Sequence, residues 1–224
     1  MTESISPGAA DPPSGRLLYK GAEADIILGS WQGLKAVFKV RRPLTYRLPV
    51  LDDSIRRQRT VHEADMIHQA KKAGVDAPYL YDVQLPASTL VMEFVDGERV
   101  KDVLGSASRE GLSAIFEEFG LDVARLHSRG IMHGDLTTAN IVRRSGHLVF
   151  IDFGLAVHTS RVEDHAVDLR LIKETLVGAH PVASAPALEA LLRGYAHGVG
   201  NGRSRAVLRQ LQNIERRGRY ARVV

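Results

Sequence analysis

The chain has 224 residues, 44% apolar and 25% charged, which is ordinary usage for one large globular domain or two small lobes with a real core. It has no cysteine, which excludes a disulfide framework and a thiolate metal site. No apolar run approaches the roughly 20 residues of a membrane span. The net charge of +4 is uneven: from Arg203 to Val224 seven arginines face the single Glu215, a surplus of six positive charges, and the preceding residues sum to −2.

The start, MTESISPGAADPPSG, lacks the basic and apolar segments of a signal peptide, so a soluble, unsecreted, intracellular protein is expected. Residues 1–16, with Pro7, Pro12 and Pro13 among small polar residues, read as disordered. From Leu17 to about Asp96 the chain is strand-rich: RLLYKG, ADIILGSW and LKAVFKV are separated by glycines that supply turns. One long helix is expected there, SIRRQRTVHEADMIHQAKKAG, closed by Gly74. STLVMEFVDG reads as a buried strand ending at Asp96-Gly97, the expected lobe boundary, so that residues 17–96 form a first lobe and 97–224 a second with a basic tail.

In LSAIFEEFGLDVARLHSRG, Leu112, Phe116, Phe119, Val123 and Leu126 share one helical face, stopped by Gly130. NIVRR and HLVFID then flank Ser145-Gly146 as a short β-hairpin, and from about Val162 the chain reads as helices. The arginine-rich end can meet a phosphate backbone or an acidic partner, or it can be a solvated helix face.

The chemistry concentrates in MHGDLTTANIVRRSGHLVFIDFG. Asp135 and Asn140 lie on the loop entering the hairpin and Asp152 on the loop leaving it, so the hairpin brings both loops to one end. Asn140 and Asp152 are the oxygen ligands that magnesium takes alongside phosphate oxygens, and Asp135 is left to accept a hydroxyl proton or orient the attacking group. This spacing of Asp, Asn and D-F-G matches the phosphoryl-transfer arrangement of protein kinases. Two upstream parts are then expected: a cation for the phosphates, Lys39 in AVFKV, and an acid to hold it, Glu63, with Asp65 as a rival on the same helix. The first hairpin, KGAEADIILGSW, stands where a phosphate-covering loop belongs but is not G-x-G-x-x-G. His133 and Asp168 are read as structural, bracing the catalytic loop. Gly134 replaces the arginine of H-R-D, and no A-P-E follows Gly154, so loop control by phosphorylation is not expected and the second lobe is minimal.

YKGAEAD, FKVRRPLTYRLPVLD, RTVHEAD, VMEFVDGERVKD, HGDLTTANIV, FIDFGLA, VEDHAVDL and RRGRYARVV together resemble one family, the small atypical RIO-like serine/threonine kinase and ATPase of the KEOPS (EKC) complex, which supports threonylcarbamoylation of adenosine in tRNA. The resemblance implies an α+β, minimal bilobal protein-kinase-like fold with a strand-rich N-lobe, one long helix and a short helical C-lobe. It implies ATP and Mg as cofactors, Asp135 as catalytic residue, Asn140 and Asp152 as metal ligands, and Gly21, Glu23, Asp25, Lys39, Glu63, Glu93 and Phe94 as cofactor-binding residues. The partners implied are a threonylcarbamoyltransferase subunit, a small regulatory subunit and tRNA through the basic C-terminal tail, with no membrane, in a cytoplasmic or, for a eukaryote, nuclear location. Two other classes stay open: a small-molecule phosphotransferase of the aminoglycoside or choline kinase type, and a non-catalytic kinase-fold module that binds RNA or a partner.

Overall fold

The computed structural model describes residues 15–220, and side chains as far as Arg217. Residues 1–14, most of the segment expected to be disordered, and 221–224, the end of the basic tail, lie outside the described residues. The chain divides into two units. One holds the residues up to Asp65 together with Pro78–Phe94, and the other holds Met66–Ala77 and the residues from Val95 onward.

The first unit is built on five antiparallel strands: β1 (Arg16–Lys20), β2 (Ala24–Trp31), β3 (Leu34–Arg41), β4 (Leu80–Gln84) and β5 (Thr89–Glu93), in the spatial order β1-β2-β3-β5-β4. Arg16, expected to belong to the structureless start, is instead the first residue of β1, because it pairs with Leu28. Strand β3 lies in the middle of the sheet and its two faces differ. Ala36 and Phe38 are buried in an apolar cluster with Val91, against which Ile27, Trp31, Val40 and Tyr81 pack, while Lys39 and Arg41 alternate onto the other face. Register sets Ile26 and Leu90 beside Lys39.

The long helix α1 (Pro49–Lys72) begins five residues before the expected Ser54, with Pro49 at its first position, where the missing N–H costs nothing. Its C-terminal end is as expected: Gly74 N–H donates to Lys71 O at 3.0 Å and Val75 N–H to Ala70 O at 3.0 Å, closing the last carbonyls. Thr60 and Glu63 are buried on this helix, in the first unit, and Met66, Ile67 and Ala70 in the second.

The second unit is mainly helical. After β6 (Glu98–Arg99) and the short α2 (Val100–Val103) comes α3 (Arg109–Ser128), capped by Ser108 Oγ, which accepts from Gly111 N–H at 3.1 Å. All five residues of the expected apolar face of α3 are buried, and Phe116, Phe119 and Phe150 form a chain of ring contacts with centroids 5.9 and 5.6 Å apart. Next stand β7 (Ile131–Met132), the hairpin β8 (Ile141–Arg144) and β9 (His147–Phe150), and β10 (Val157–His158). At the hairpin turn both Ser145 (φ 51°) and Gly146 (φ 91°) are left-handed, the backbone that a two-residue turn of matching twist requires. Helices α4 (Val162–Ala179), α5 (Pro181–Val199) and α6 (Asn201–Tyr220) complete the unit. Helices α3 and α5 cross so closely that a Cβ on Gly120 would lie 2.0 Å from Leu191 O, and one on Gly194 2.0 Å from Glu117 O. Helix α6 buries Ser204, Val207 and Leu211 on one face and exposes Arg205, Arg209, Arg216 and Arg217.

Candidate active site

In the first unit, Lys39 Nζ donates to Glu63 Oε1 at 2.7 Å, joining the centre of the sheet to α1. The other oxygen of Glu63 accepts from Arg41 Nη2 at 2.5 Å, a residue that motif reading passed over. A usable signal existed, since residues two apart on a strand share a face and Lys39 and Arg41 are two apart. The β1–β2 turn is held by arginines. Gly21 N–H donates to Ala24 O at 2.9 Å, Arg42 donates to Gly21 O at 2.5 Å and stands 3.2 Å from Asp25, and Glu23 pairs with Arg59 and lies 3.9 Å from Arg47. At the end of β5, Glu93 N–H donates to Tyr79 O at 2.8 Å and Tyr79 N–H returns to Glu93 Oε2 at 3.2 Å. Phe94 N–H donates to Lys35 O at 3.3 Å, and the Lys35 ammonium sits 3.8 Å from the Phe94 ring centroid.

In the second unit the hairpin does what spacing predicted. Ile141 pairs with Phe150, and Ile151 N–H donates to Asn140 O at 3.0 Å, so the loop that carries Asp135 and Asn140 and the loop that begins at Asp152 meet at the open end of the hairpin. Asn140 Nδ2 donates to Asp135 Oδ2 at 2.8 Å and to Asp135 O at 3.0 Å, fixing the aspartate to its own loop. With that nitrogen committed, the side-chain oxygen of Asn140 is the atom a hard cation could use. Asp152 Oδ1 accepts from Gly154 N–H at 2.9 Å, which orients its carboxylate. Among the described residues no group of three or more His, Cys, Asp or Glu could hold a metal by itself. An amide oxygen and a carboxylate are hard oxygen donors, of the kind a hard cation takes alongside phosphate or water oxygens.

The loop that carries Asp135 rests on a buried polar network centred on Asp168. Its Oδ2 accepts from His133 N–H at 2.7 Å and from His127 Nε2 at 3.1 Å, and its Oδ1 from Gly134 N–H at 2.8 Å. His127 Nδ1 contacts the Tyr195 hydroxyl at 2.9 Å, and the His127 ring stacks on His165 with centroids 4.0 Å apart. His165 in turn meets Thr159 O through Nε2 at 3.1 Å and Arg203 through Nδ1 at 3.0 Å. Burial, reinforced by the neighbouring His127, pulls His165 down to about 4, so its ring is neutral near pH 7. Burial likewise lowers His133, against the pull of Asp168, Asp152 and Asp135. Its Nδ1 accepts from Asp135 N–H at 3.3 Å and its ring packs 4.9 Å from Phe153.

Gly134 has a reason beyond the loss of an arginine. Its φ is +81°, and a Cβ there would lie 2.4 Å from Leu155 O, so the backbone of the D-F-G segment leaves no room for a side chain. The residues that back Asp168 (His127 directly, and through it Tyr195 and, by the stacked rings, His165 and Arg203) come from α3, α4, α5 and α6 and had no sequence signal.

The sheet with its single long helix, the helical second unit and the D-F-G hairpin define the class, a protein-kinase-like fold. The Rio2 kinase from Chaetomium thermophilum shares it with a TM-score of 0.61, at 18% identity over 88% of this chain and 71% of that one. A RIO domain matches residues 51–171. The KEOPS complex subunit Bud32 of Pyrococcus abyssi is 36% identical over 211 residues, 92% of this chain and 96% of that protein. A probable bifunctional tRNA threonylcarbamoyladenosine biosynthesis protein of Methanobrevibacter smithii is 39% identical over 204 residues, 91% of this chain, and this chain spans only 36% of its length. The chain belongs to the RIO-domain family and, within it, to the group of the KEOPS complex subunit Bud32.

Proposed function

We propose that this protein binds Mg-ATP and either hydrolyses it or transfers its γ-phosphoryl group to protein serine or threonine, as the kinase and ATPase subunit of a KEOPS-type complex that supports threonylcarbamoylation of tRNA. The observation that carries the reading is the hairpin end, where Asp135 and Asn140 are locked together at 2.8 Å beside the turn that begins at Asp152, in a chain of the RIO family.

Each residue has a defined task. Asp135, steadied by the Asn140 amide, accepts the proton of the attacking hydroxyl or water. Lys39, steered by Glu63, supplies positive charge to phosphate oxygens. Asn140 and Asp152 would hold the divalent ion, which draws charge off the transferring group when bound. Gly21, Glu23 and Asp25 form the turn that covers the nucleotide, and Glu93 and Phe94 line its base. The relatives' names support the wider setting. One is a KEOPS subunit, and the bifunctional proteins join a region like this chain to a longer remainder. The exposed arginines of α6 are the proposed tRNA contact, in company with the threonylcarbamoyltransferase and small regulatory subunits.

The test is ATP turnover measured alone, with tRNA, with the partner subunit and with both, in wild-type and Asp152→Ala proteins. Strong stimulation by tRNA and partner together, abolished by the substitution, is expected. Wild-type turnover in the Asp152→Ala protein would end the mechanism, and stimulation only by a small alcohol or amine would assign the site to small-molecule phosphotransfer.

A further inference from the structure

In the first unit one buried carboxylate is shared by two cations from the same strand. Glu63 gives Oε1 to Lys39 at 2.7 Å and Oε2 to Arg41 at 2.5 Å, and the Arg41 and Glu63 side chains are only 6% and 1% exposed. Arg41 also reaches Thr60 Oγ1 at 3.4 Å, and Thr60 Oγ1 donates to Arg56 O at 2.8 Å, so the guanidinium is tied into α1 one turn before Glu63.

Such an arrangement is poorly explained by stability. Desolvating several charges offsets most of their attraction, and well-packed apolar residues commonly do as well. What it supplies is a division of labour between two chemically different cations. Arginine presents a rigid planar fork that keeps its geometry, whereas the lysine ammonium is a rotatable point charge on a flexible stem. A Glu63 held by Lys39 alone would lose hold whenever the ammonium turned toward another anion, because a carboxylate this deeply buried is costly to leave short of partners. With Arg41 on the second oxygen, the carboxylate stays in place while Lys39 is shared.

We infer that Arg41 is a positioning residue for nucleotide binding. It fixes Glu63 against β3 and α1 so that Glu63 can aim the Lys39 ammonium at phosphate oxygens, and it acts through Glu63 without touching the nucleotide. This rests on the reading of Lys39 as the phosphate-binding cation.

The test is Mg-ATP binding by titration calorimetry to the wild-type, Arg41→Met, Lys39→Met and doubly substituted proteins, with thermal melts of each. Arg41→Met should weaken binding by about 10-fold. In the Lys39→Met background the same change should cost less than about 2-fold, since no ammonium remains to be aimed. Arg41→Lys should recover part of the loss, because charge returns to Oε2 without the link to Thr60. Equal losses in both backgrounds would mean that Arg41 acts on the nucleotide or the fold directly, and would overturn the inference. Undiminished binding by Arg41→Met would overturn it too. If Arg41→Met does not fold, Thr60→Val, which removes the hydroxyl that links Arg41 to Arg56 O and leaves both cations of Glu63 in place, should weaken binding about 3-fold, and no loss there would be equally fatal. A wild-type protein that fails to bind Mg-ATP would sink the functional reading and this inference with it. Binding by wild type with no effect at Arg41 would sink the inference alone.

Discussion

Replacing Asp168 by asparagine leaves shape almost unchanged and alters only what its two δ-atoms can do. Three donors converge on the carboxylate: His133 N–H and His127 on Oδ2, and Gly134 N–H on Oδ1, all where Asp168 is fully buried. An amide has one accepting oxygen and one donating nitrogen, so its best orientation satisfies the two donors at Oδ2 and turns an NH₂ against Gly134 N–H. That part-buried backbone donor then loses its partner, at about 1–3 kcal/mol, and the two remaining bonds lose their charge assistance, at about 1 kcal/mol each. The expected destabilisation is about 3–5 kcal/mol, a large part of the stability of an ordinary domain. Urea unfolding followed by circular dichroism gives the number, and ATP turnover below the unfolding midpoint shows whether the loop has moved. A loss under about 1 kcal/mol would refute the view that Asp168 anchors the loop that carries Asp135.

Gly134→Ala forces a Cβ to within 2.4 Å of Leu155 O at a φ of +81°. It should lower the melting point by several degrees, for a cost of at least about 1–3 kcal/mol, and a melt within a degree of wild type would show that the loop accommodates a side chain. His165 adds a pH dependence. Its folded value near 4 lies below the unfolded value of 6.5, so the unfolded chain binds more protons between these limits and stability falls as pH drops from about 6.5 to 4. The full span is at most about 3 kcal/mol, and a His165→Phe protein, which keeps a stacked ring, should lose that slope. The difference between the two proteins is the readout, because buried Asp122, raised to about 7 chiefly by burial, contributes the opposite slope: stability held at low pH and lost as pH rises through 7. Equal slopes in wild type and variant would refute the assignment.

Local pattern made much of this protein legible. The period of α3, the Ser145-Gly146 turn, the Gly74 stop and the hairpin between the Asp-Asn loop and D-F-G each rest on interactions a few residues apart, which a linear sequence records directly. The start of α1 escaped because polar α1 has no clear apolar face, so only the backbone closing on Pro49 reveals it. The roles of Asp168 and His133 were legible as bracing, though not what braces them in turn. His127 reaches Asp168 directly, and Tyr195, His165 and Arg203 reach it through His127, from separate helices, and nothing in their spacing announces it.

Local sequence was enough to bring the loops of Asp135, Asn140 and Asp152 to one end of the hairpin, because they are carried there by a turn whose geometry follows from two residues. Why residue 134 is glycine and why Glu63 has two cations are answered by packing alone. Both depend on groups that approach from distant segments, Leu155 O in one case and the alternating face of β3 against α1 in the other, and close approach is a property of packing that no local spacing encodes.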